Sequence, residues 1–119
     1  MDIKALDNAL QAIEKKRDEL SKLNYNNPQY DDMEEQLHNM EDDFQDKYGD
    51  YVEEALQNIH EEWCPDNDVL MPIAYLGKGV FVETEKYPNK DTKLILASNP
   101  PRILLTVGKD KQEIVWSAK

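Results

Sequence analysis

The residues best suited to metal chemistry lie close together, between His60 and Asp68. His60 and Cys64 are four residues apart, so they share one face of a helix. Asp66 and Asp68 follow just beyond the predicted helix end. An imidazole, a thiolate and a carboxylate are ligands that zinc accepts. However, helix termination at Pro65 can turn Cys64 away, and a lone cysteine is more often a small buried hydrophobe. We predict no metal or cofactor site and keep these four residues as an alternative.

No other part of the sequence has the spacing of a catalytic site. Gly77-Lys78-Gly79 has the glycines of a phosphate-binding loop, but such loops lead from a strand into a helix, whereas a strand is predicted to follow here. A β-turn that needs positive φ explains both glycines. Acidic pairs such as Glu53 and Glu54 are adjacent, so they do not face one another as a catalytic acid and base would. The sequence therefore predicts a protein that is not an enzyme.

The net charge of −11 comes from one segment of the chain. Residues 29–63 hold thirteen acidic side chains and one basic residue, Lys47. A run of charge usually marks a solvated helix face. This segment, however, largely lacks the oppositely charged pairs, three or four residues apart, that stabilise a helix. The other interpretation is a surface that attracts a protein partner, in particular a basic one. Such a surface would repel nucleic acid. The candidate contact residues are Asp31, Asp32, Glu35, Asp42, Asp43, Asp46, Asp50, Glu53 and Glu54.

Two apolar stripes with a seven-residue repeat predict a pair of helices. The first stripe is Ile3, Leu6, Leu10, Ile13 and Leu20, and the second is Tyr30, Met33, Leu37, Met40, Phe44 and Tyr51. Arg17 and Lys47 interrupt the stripes, with Lys47 expected beside Leu6 and Arg17 expected to reach Glu34 or Glu41. Asn27 and Pro28 suit the N-cap and first position of the second helix. The short turn predicts an antiparallel, coiled-coil-like hairpin.

The second helix is predicted to extend beyond the end of the first and to pack there on a small sheet. Its later apolar residues, from Val52 to Trp63, need another partner, and after Cys64 the pattern changes to a period of two. Strands are expected in residues 69–76, 80–84, 92–98, 102–107 and 112–117, joined by short turns. The expected inward face is Leu94, Leu96, Ile103, Leu105, Val107, Ile114 and Trp116. The predicted fold is α+β, one unit in which a hairpin (1–63) carries a four- or five-stranded antiparallel meander (64–119).

From this sequence we expect a cytoplasmic, non-enzymatic protein–protein interaction module. A single cysteine fits a reducing compartment, and no apolar run approaches the roughly 20 residues that span a bilayer. Ala5, Ala9 and Ala12 form a small-residue ridge that would let another helix approach closely, which predicts a homodimer through the hairpin. Two alternatives stay open. One is an antitoxin or immunity-type inhibitor of a basic protein, and the other is a metal- or ligand-binding protein that uses the His60 region.

Overall fold

The computed structural model describes all 119 residues, and its fold is α+β, as predicted. Two helices come first and an antiparallel sheet of four strands follows. The elements are α1 (Ile3–Ser21), α2 (Tyr30–Trp63), a 3-10 helix (Pro72–Tyr75), β1 (Val80–Val82), β2 (Thr92–Ala97), β3 (Arg102–Val107) and β4 (Lys111–Ser117). Neither helix combines the length and the apolar character needed to cross a bilayer.

The hairpin begins with a capped helix and turns through a polar segment. The Asp2 carboxylate accepts a hydrogen bond from the Ala5 amide at 3.0 Å, which satisfies one of the free N–H groups at the start of α1. The second helix starts at Tyr30, two residues later than predicted. Asn27 does not cap it, because its side chain instead accepts a hydrogen bond from the Gln29 amide at 2.8 Å and shapes the turn.

The long helix α2 runs without a break through Gly49, and its buried stripe rotates along its length. In its first part Leu37 and Phe44 are buried. The prediction that Lys47 lies in the seam was wrong, because Lys47 is exposed and pairs with Asp43 at 3.0 Å. Tyr48 takes its place, with its ring centroid 5.7 Å from that of Phe44. A straight helix drifts against a strict seven-residue repeat, which moves the buried position forward by one residue.

The sheet is a meander with the strand order β1-β2-β3-β4. The connections β2–β3 and β3–β4 are short, and the β1–β2 loop, residues 83–91, is shorter than a parallel crossover needs, so antiparallel neighbours are the simplest arrangement. Alternate residues of β2 and β3 face the helices, and they share one core with Val52 and Leu56 of α2. The buried residues on this face of β2 and β3 are Thr92, Leu94, Leu96, Ile103, Leu105 and Val107.

A β-bulge in β4 reverses the predicted orientation of Ile114. Ile103 pairs with Trp116 and Leu104 pairs with Ile114, so Val115 is an extra residue between them. The alternation of β4 changes phase at this point. Trp116 stays on the inner face and is half-buried, whereas Ile114 lies on the outer face and is 63% exposed. The expectation that Ile114 belongs to the inward face was wrong.

The first predicted strand is a 3-10 helix. Residues 69–76 contain Pro72, which lacks an N–H and has a fixed φ, so it cannot take part in a regular ladder. Pro72–Tyr75 form one 3-10 turn, and only Leu76 makes an isolated parallel bridge, with Leu96. The sheet therefore has four strands. The positive φ of Gly77 (87°) and Gly79 (79°) confirms that the Gly77-Lys78-Gly79 segment is a turn.

Candidate functional site

The acidic residues singled out in the sequence form one face of α2. We call the nine residues from Asp31 to Glu54 named above the acidic face. All of them are exposed except Glu53, which is half-exposed. Spacings of three, four and seven residues place most of them on the side away from Leu37 and Phe44. At 1.5 Å per residue this face extends over about 35 Å of helix.

The charges of the acidic face are almost entirely uncompensated within the chain. Of the nine residues, only Asp43 forms an ion pair, and its partner is Lys47. The hydrogen bond between these two side chains raises the pKa of Lys47. Both side chains are more than half exposed, and screening by solvent leaves such a pair little net effect on stability. Asp31 and Asp32 gain some stabilisation from the positive end of the helix dipole. The rest of the face is a surface that attracts cations.

The alanine ridge of α1 lies beside the packed seam. Ala5 and Ala9 are half-buried, Ala9 packs against the core, and Ala12 is exposed. Of the large apolar side chains that are exposed, only Met1 and Tyr25 belong to the hairpin, and they lie near its two ends. The ridge therefore offers small residues but no broad apolar surface, and the homodimer stays a prediction.

His60 is buried (3% exposed), and both of its ring nitrogens have partners. Nδ1 lies 3.0 Å from the carbonyl oxygen of Asn67, and Nε2 lies 3.0 Å from the hydroxyl of Tyr75. A carbonyl can only accept, so Nδ1 carries the hydrogen and Nε2 accepts from the Tyr75 hydroxyl. That hydroxyl also accepts from the Leu70 amide at 3.0 Å. Both ring nitrogens of His60 are thus hydrogen-bonded, and the ring links the end of α2 to the 3-10 helix.

The four metal-ligand candidates are not gathered into a site. The ring nitrogens of His60 are occupied, and Cys64 is buried, which raises the pKa of its thiol to about 11. A thiol with that pKa stays protonated at neutral pH. Asp66 and Asp68 are exposed, and no group of three His, Cys, Asp or Glu side chains in the chain is placed to hold a metal ion. The arrangement fits a structural role for His60.

Arg17 forms a junction that the sequence indicated only in part. Its guanidinium donates to Glu41 Oε2 at 3.0 Å, so one of the two predicted partners is confirmed. It also donates to the carbonyl oxygens of Leu76 at 2.8 Å and Ile73 at 3.3 Å. These two carbonyls lie in and just after the 3-10 helix, and no side-chain pattern could have shown them. Arg17 therefore joins α1, α2 and the segment that leads into the sheet.

Comparison with known proteins adds no family to these observations. No family model matches this chain, no curated protein is significantly similar to it, and no solved structure matches it. What the protein does must therefore be inferred from its own residues.

Proposed function

We propose that this protein is a non-enzymatic, cytoplasmic interaction module that binds a basic protein through the acidic face of α2. One observation carries the proposal: apart from Asp43, no residue of that face has an ion-pair partner within the chain. Like charges four residues apart on a helix cost a few tenths of a kcal/mol for each pair, roughly 0.2–0.5. A cationic partner would remove this cost on binding.

The packing of α2 supports the proposal. The side away from the acidic face is covered by α1 in the first part of the helix, and by the sheet and the 3-10 helix in the second part. The face is thus presented on a helix that is already ordered, so little conformational entropy is lost on binding. Complementary charge also raises association rates and selects partners of opposite sign. An antitoxin or immunity-type inhibitor, which covers a cationic protein, is a partner relationship of this kind.

The experiment is an affinity capture that compares two matched variants with the wild type. Asp42→Asn with Asp46→Asn removes two charges from the acidic face. Asp18→Asn with Asp68→Asn removes two exposed charges elsewhere. We expect the wild type to bind a basic protein at about 50 mM salt and to release it at about 500 mM, where screening is much stronger. The face variant should lose this binding, and the control variant should keep it.

Two results would reject the proposal. One is that no basic protein binds at low ionic strength. The other is that both variants weaken binding equally, because net charge alone would then be responsible. The homodimer through Ala5, Ala9 and Ala12 is a separate prediction, and light scattering of the purified protein tests it directly.

A further inference from the structure

The tip of the helical hairpin carries a stacked pair of tyrosines. Tyr25 lies in the turn and Tyr30 is the first residue of α2, and their ring centroids are 4.8 Å apart with the ring planes inclined at 43°. Tyr25 is 85% exposed, which is the highest exposure among the large apolar side chains, whereas Tyr30 is half-buried. The two rings together form a small aromatic platform that faces solvent.

The turn holds this platform in a fixed position. The Asn24 carbonyl accepts a hydrogen bond from the Asn27 amide at 2.9 Å, and the Asn27 carbonyl accepts one from the Tyr30 amide at 3.0 Å. The backbone of Tyr25 lies inside the first of these two turns. A side chain on an ordered backbone loses little conformational entropy on binding, and tyrosine has only two side-chain torsions to fix.

The chain has two strongly exposed aromatic rings, and only one of them has a cation over it. Lys93 Nζ lies 4.6 Å from the centre of the Phe81 ring, and Phe81 is 66% exposed. No lysine or arginine of the chain lies over Tyr25. The nearest lysine along the sequence, Lys22, is paired with Asp18 at 3.1 Å. A cation for the Tyr25 ring must therefore come from another molecule.

Negative charge lies beside the tyrosine pair. Asp31 follows Tyr30 directly, and Glu34 lies one helical turn further along α2. Partial burial, the neighbouring Tyr25 hydroxyl and the carboxylates of Glu34 and Asp31 all raise the pKa of Tyr30. Neither carboxylate forms an ion pair within the chain. A ligand that covers the platform meets both ring faces and unpaired carboxylates, so a positively charged group fits it.

The two parts of this surface together select guanidinium over ammonium. The planar guanidinium of arginine stacks on an aromatic face and bonds to a carboxylate through two N–H groups. The ammonium of lysine is a compact and strongly hydrated point charge, so it gains less from a ring. Residues 23–30 carry no charge, and no side chain of the turn itself repels an incoming cation.

We propose that the tyrosine pair at the hairpin tip anchors the basic partner by stacking against one of its arginine side chains, with Asp31 and Glu34 as the hydrogen-bonding carboxylates. This inference rests on the function proposed above, because it names the residue type by which the same partner is held. The pair adjoins the acidic face, which begins at Asp31, so the two surfaces are continuous. The charge of α2 attracts the partner, and the tip selects arginine at short range.

The test is an NMR titration of the isotope-labelled full chain with two capped peptides at about 50 mM salt. The peptides are identical except that one carries two arginines where the other carries two lysines, so their charge is the same. We expect saturable shifts of the amides of residues 24–34. The arginine peptide should bind about fivefold more tightly than the lysine peptide, because only guanidinium combines stacking with paired hydrogen bonds.

Two variants at one position separate the ring from its hydroxyl. Tyr25→Ala should remove the preference for arginine, and Tyr25→Phe should keep it, because the ring face makes the contact. The exposed position of Tyr25 means that neither change opens a cavity in the core, and the same spectra show that each variant is folded. The matched control is Phe81→Ala, which removes the other strongly exposed ring and should leave the preference within about twofold of the wild type.

The tip and the acidic face are read separately in the same spectra, the acidic face from the amides of residues 42–54. Equal affinity of the wild type for the two peptides, or an arginine preference that survives Tyr25→Ala, overturns the anchor. Shifts in residues 42–54 without shifts at the tip also overturn it but leave the proposed function standing. Shifts at the tip alone, with the arginine preference, retain the anchor and reject the acidic face as the partner surface. No shifts in either region reject both.

Discussion

The two halves of α2 have similar composition but very different surroundings. In the first half, Tyr30 to Tyr48, only Leu37 and Phe44 are fully buried, because α1 is the main element packed on it. In the second half, Gly49 to Trp63, the buried residues are Gly49, Val52, Ala55, Leu56, Ile59 and His60. Here the sheet and the 3-10 helix contribute to the cover. The acidic face spans both halves. The second half fixes the helix to the core, and the first half extends the charged surface away from the core.

Matched leucine truncations should give the largest difference between the halves. Leu56 is 0% exposed and Leu37 is 7% exposed. We expect Leu56→Ala to lower the free energy of unfolding by about 3–5 kcal/mol and Leu37→Ala by about 2 kcal/mol, since a cavity between rigid elements relaxes less. Urea unfolding with an unchanged m-value measures both. Equal losses would show that the first half is as tightly packed as the second.

Alkaline pH should destabilise the anchored end of α2 through Cys64. Burial raises the pKa of this thiol in the folded state to about 11, above its ordinary value of 9.0. The folded state then holds the proton more tightly than the unfolded state. The resulting stability is complete below about pH 9 and is lost as the pH rises through about 11, on the order of 2 kcal/mol in total.

The measurement for Cys64 is the free energy of unfolding of the wild type and of Cys64→Ala between pH 7 and about pH 11. Because Tyr75 also has a pKa raised by burial, both proteins should lose stability at the highest pH, and the Cys64 effect is the difference between the two curves. The wild type should fall further than the variant. Parallel curves would mean that the region around Cys64 admits water.

Replacing Arg17 should lower the free energy of unfolding by an intermediate amount, because this residue is the polar link between the hairpin and the 3-10 helix. Its side chain is 32% exposed and that of Glu41 is 20% exposed, so solvent weakens but does not abolish the pair. We expect Arg17→Met to cost about 1–2 kcal/mol, since the Ile73 and Leu76 carbonyls and Glu41 lose their donor.

A double-mutant cycle apportions the Arg17 contribution. Glu41→Gln alone should cost less than Arg17→Met, and the coupling between the two changes should be about 0.5–1 kcal/mol. A coupling near zero would place the effect of Arg17 in its hydrogen bonds to the two carbonyls. Arg17→Lys should destabilise the chain less than Arg17→Met does, but it should still be less stable than the wild type. An ammonium group cannot span the same three acceptors as a planar guanidinium.

Features that depend on spacing could be predicted from the sequence, and features that depend on a distant part of the chain could not. The period of the apolar residues predicted the hairpin and the sheet, and it placed Arg17 within reach of Glu41. Ile114 was placed on the wrong face because a bulge depends on how β4 pairs with β3, and β4 itself gives no sign of it. The partners of His60 were missed because one is the backbone carbonyl of Asn67 and the other is Tyr75, fifteen residues away. The acidic face was the strongest sequence signal, and burial confirms that most of it faces solvent.

Neutralising charge on the acidic face should give the smallest effect, and its sign separates two explanations of that face. Asp42 repels Asp46 across one helical turn in the first half, and Glu54 repels Asp50 in the second, so Asp42 and Glu54 each have one acidic residue four positions away. Asp42→Asn or Glu54→Gln should each stabilise the chain by about 0.2–0.5 kcal/mol, and the gain should shrink as salt is added. Thermal unfolding at low and high ionic strength measures this, with Asp18→Asn as a control that removes an exposed ion pair with Lys22. Gains of equal size in both halves would mean that the whole face is exposed to solvent and is not compensated within the chain, as the proposed partner surface requires. A loss at Glu54 but not at Asp42 would instead mean that the sheet compensates the second half of the face, which would confine the proposed partner surface to the first half.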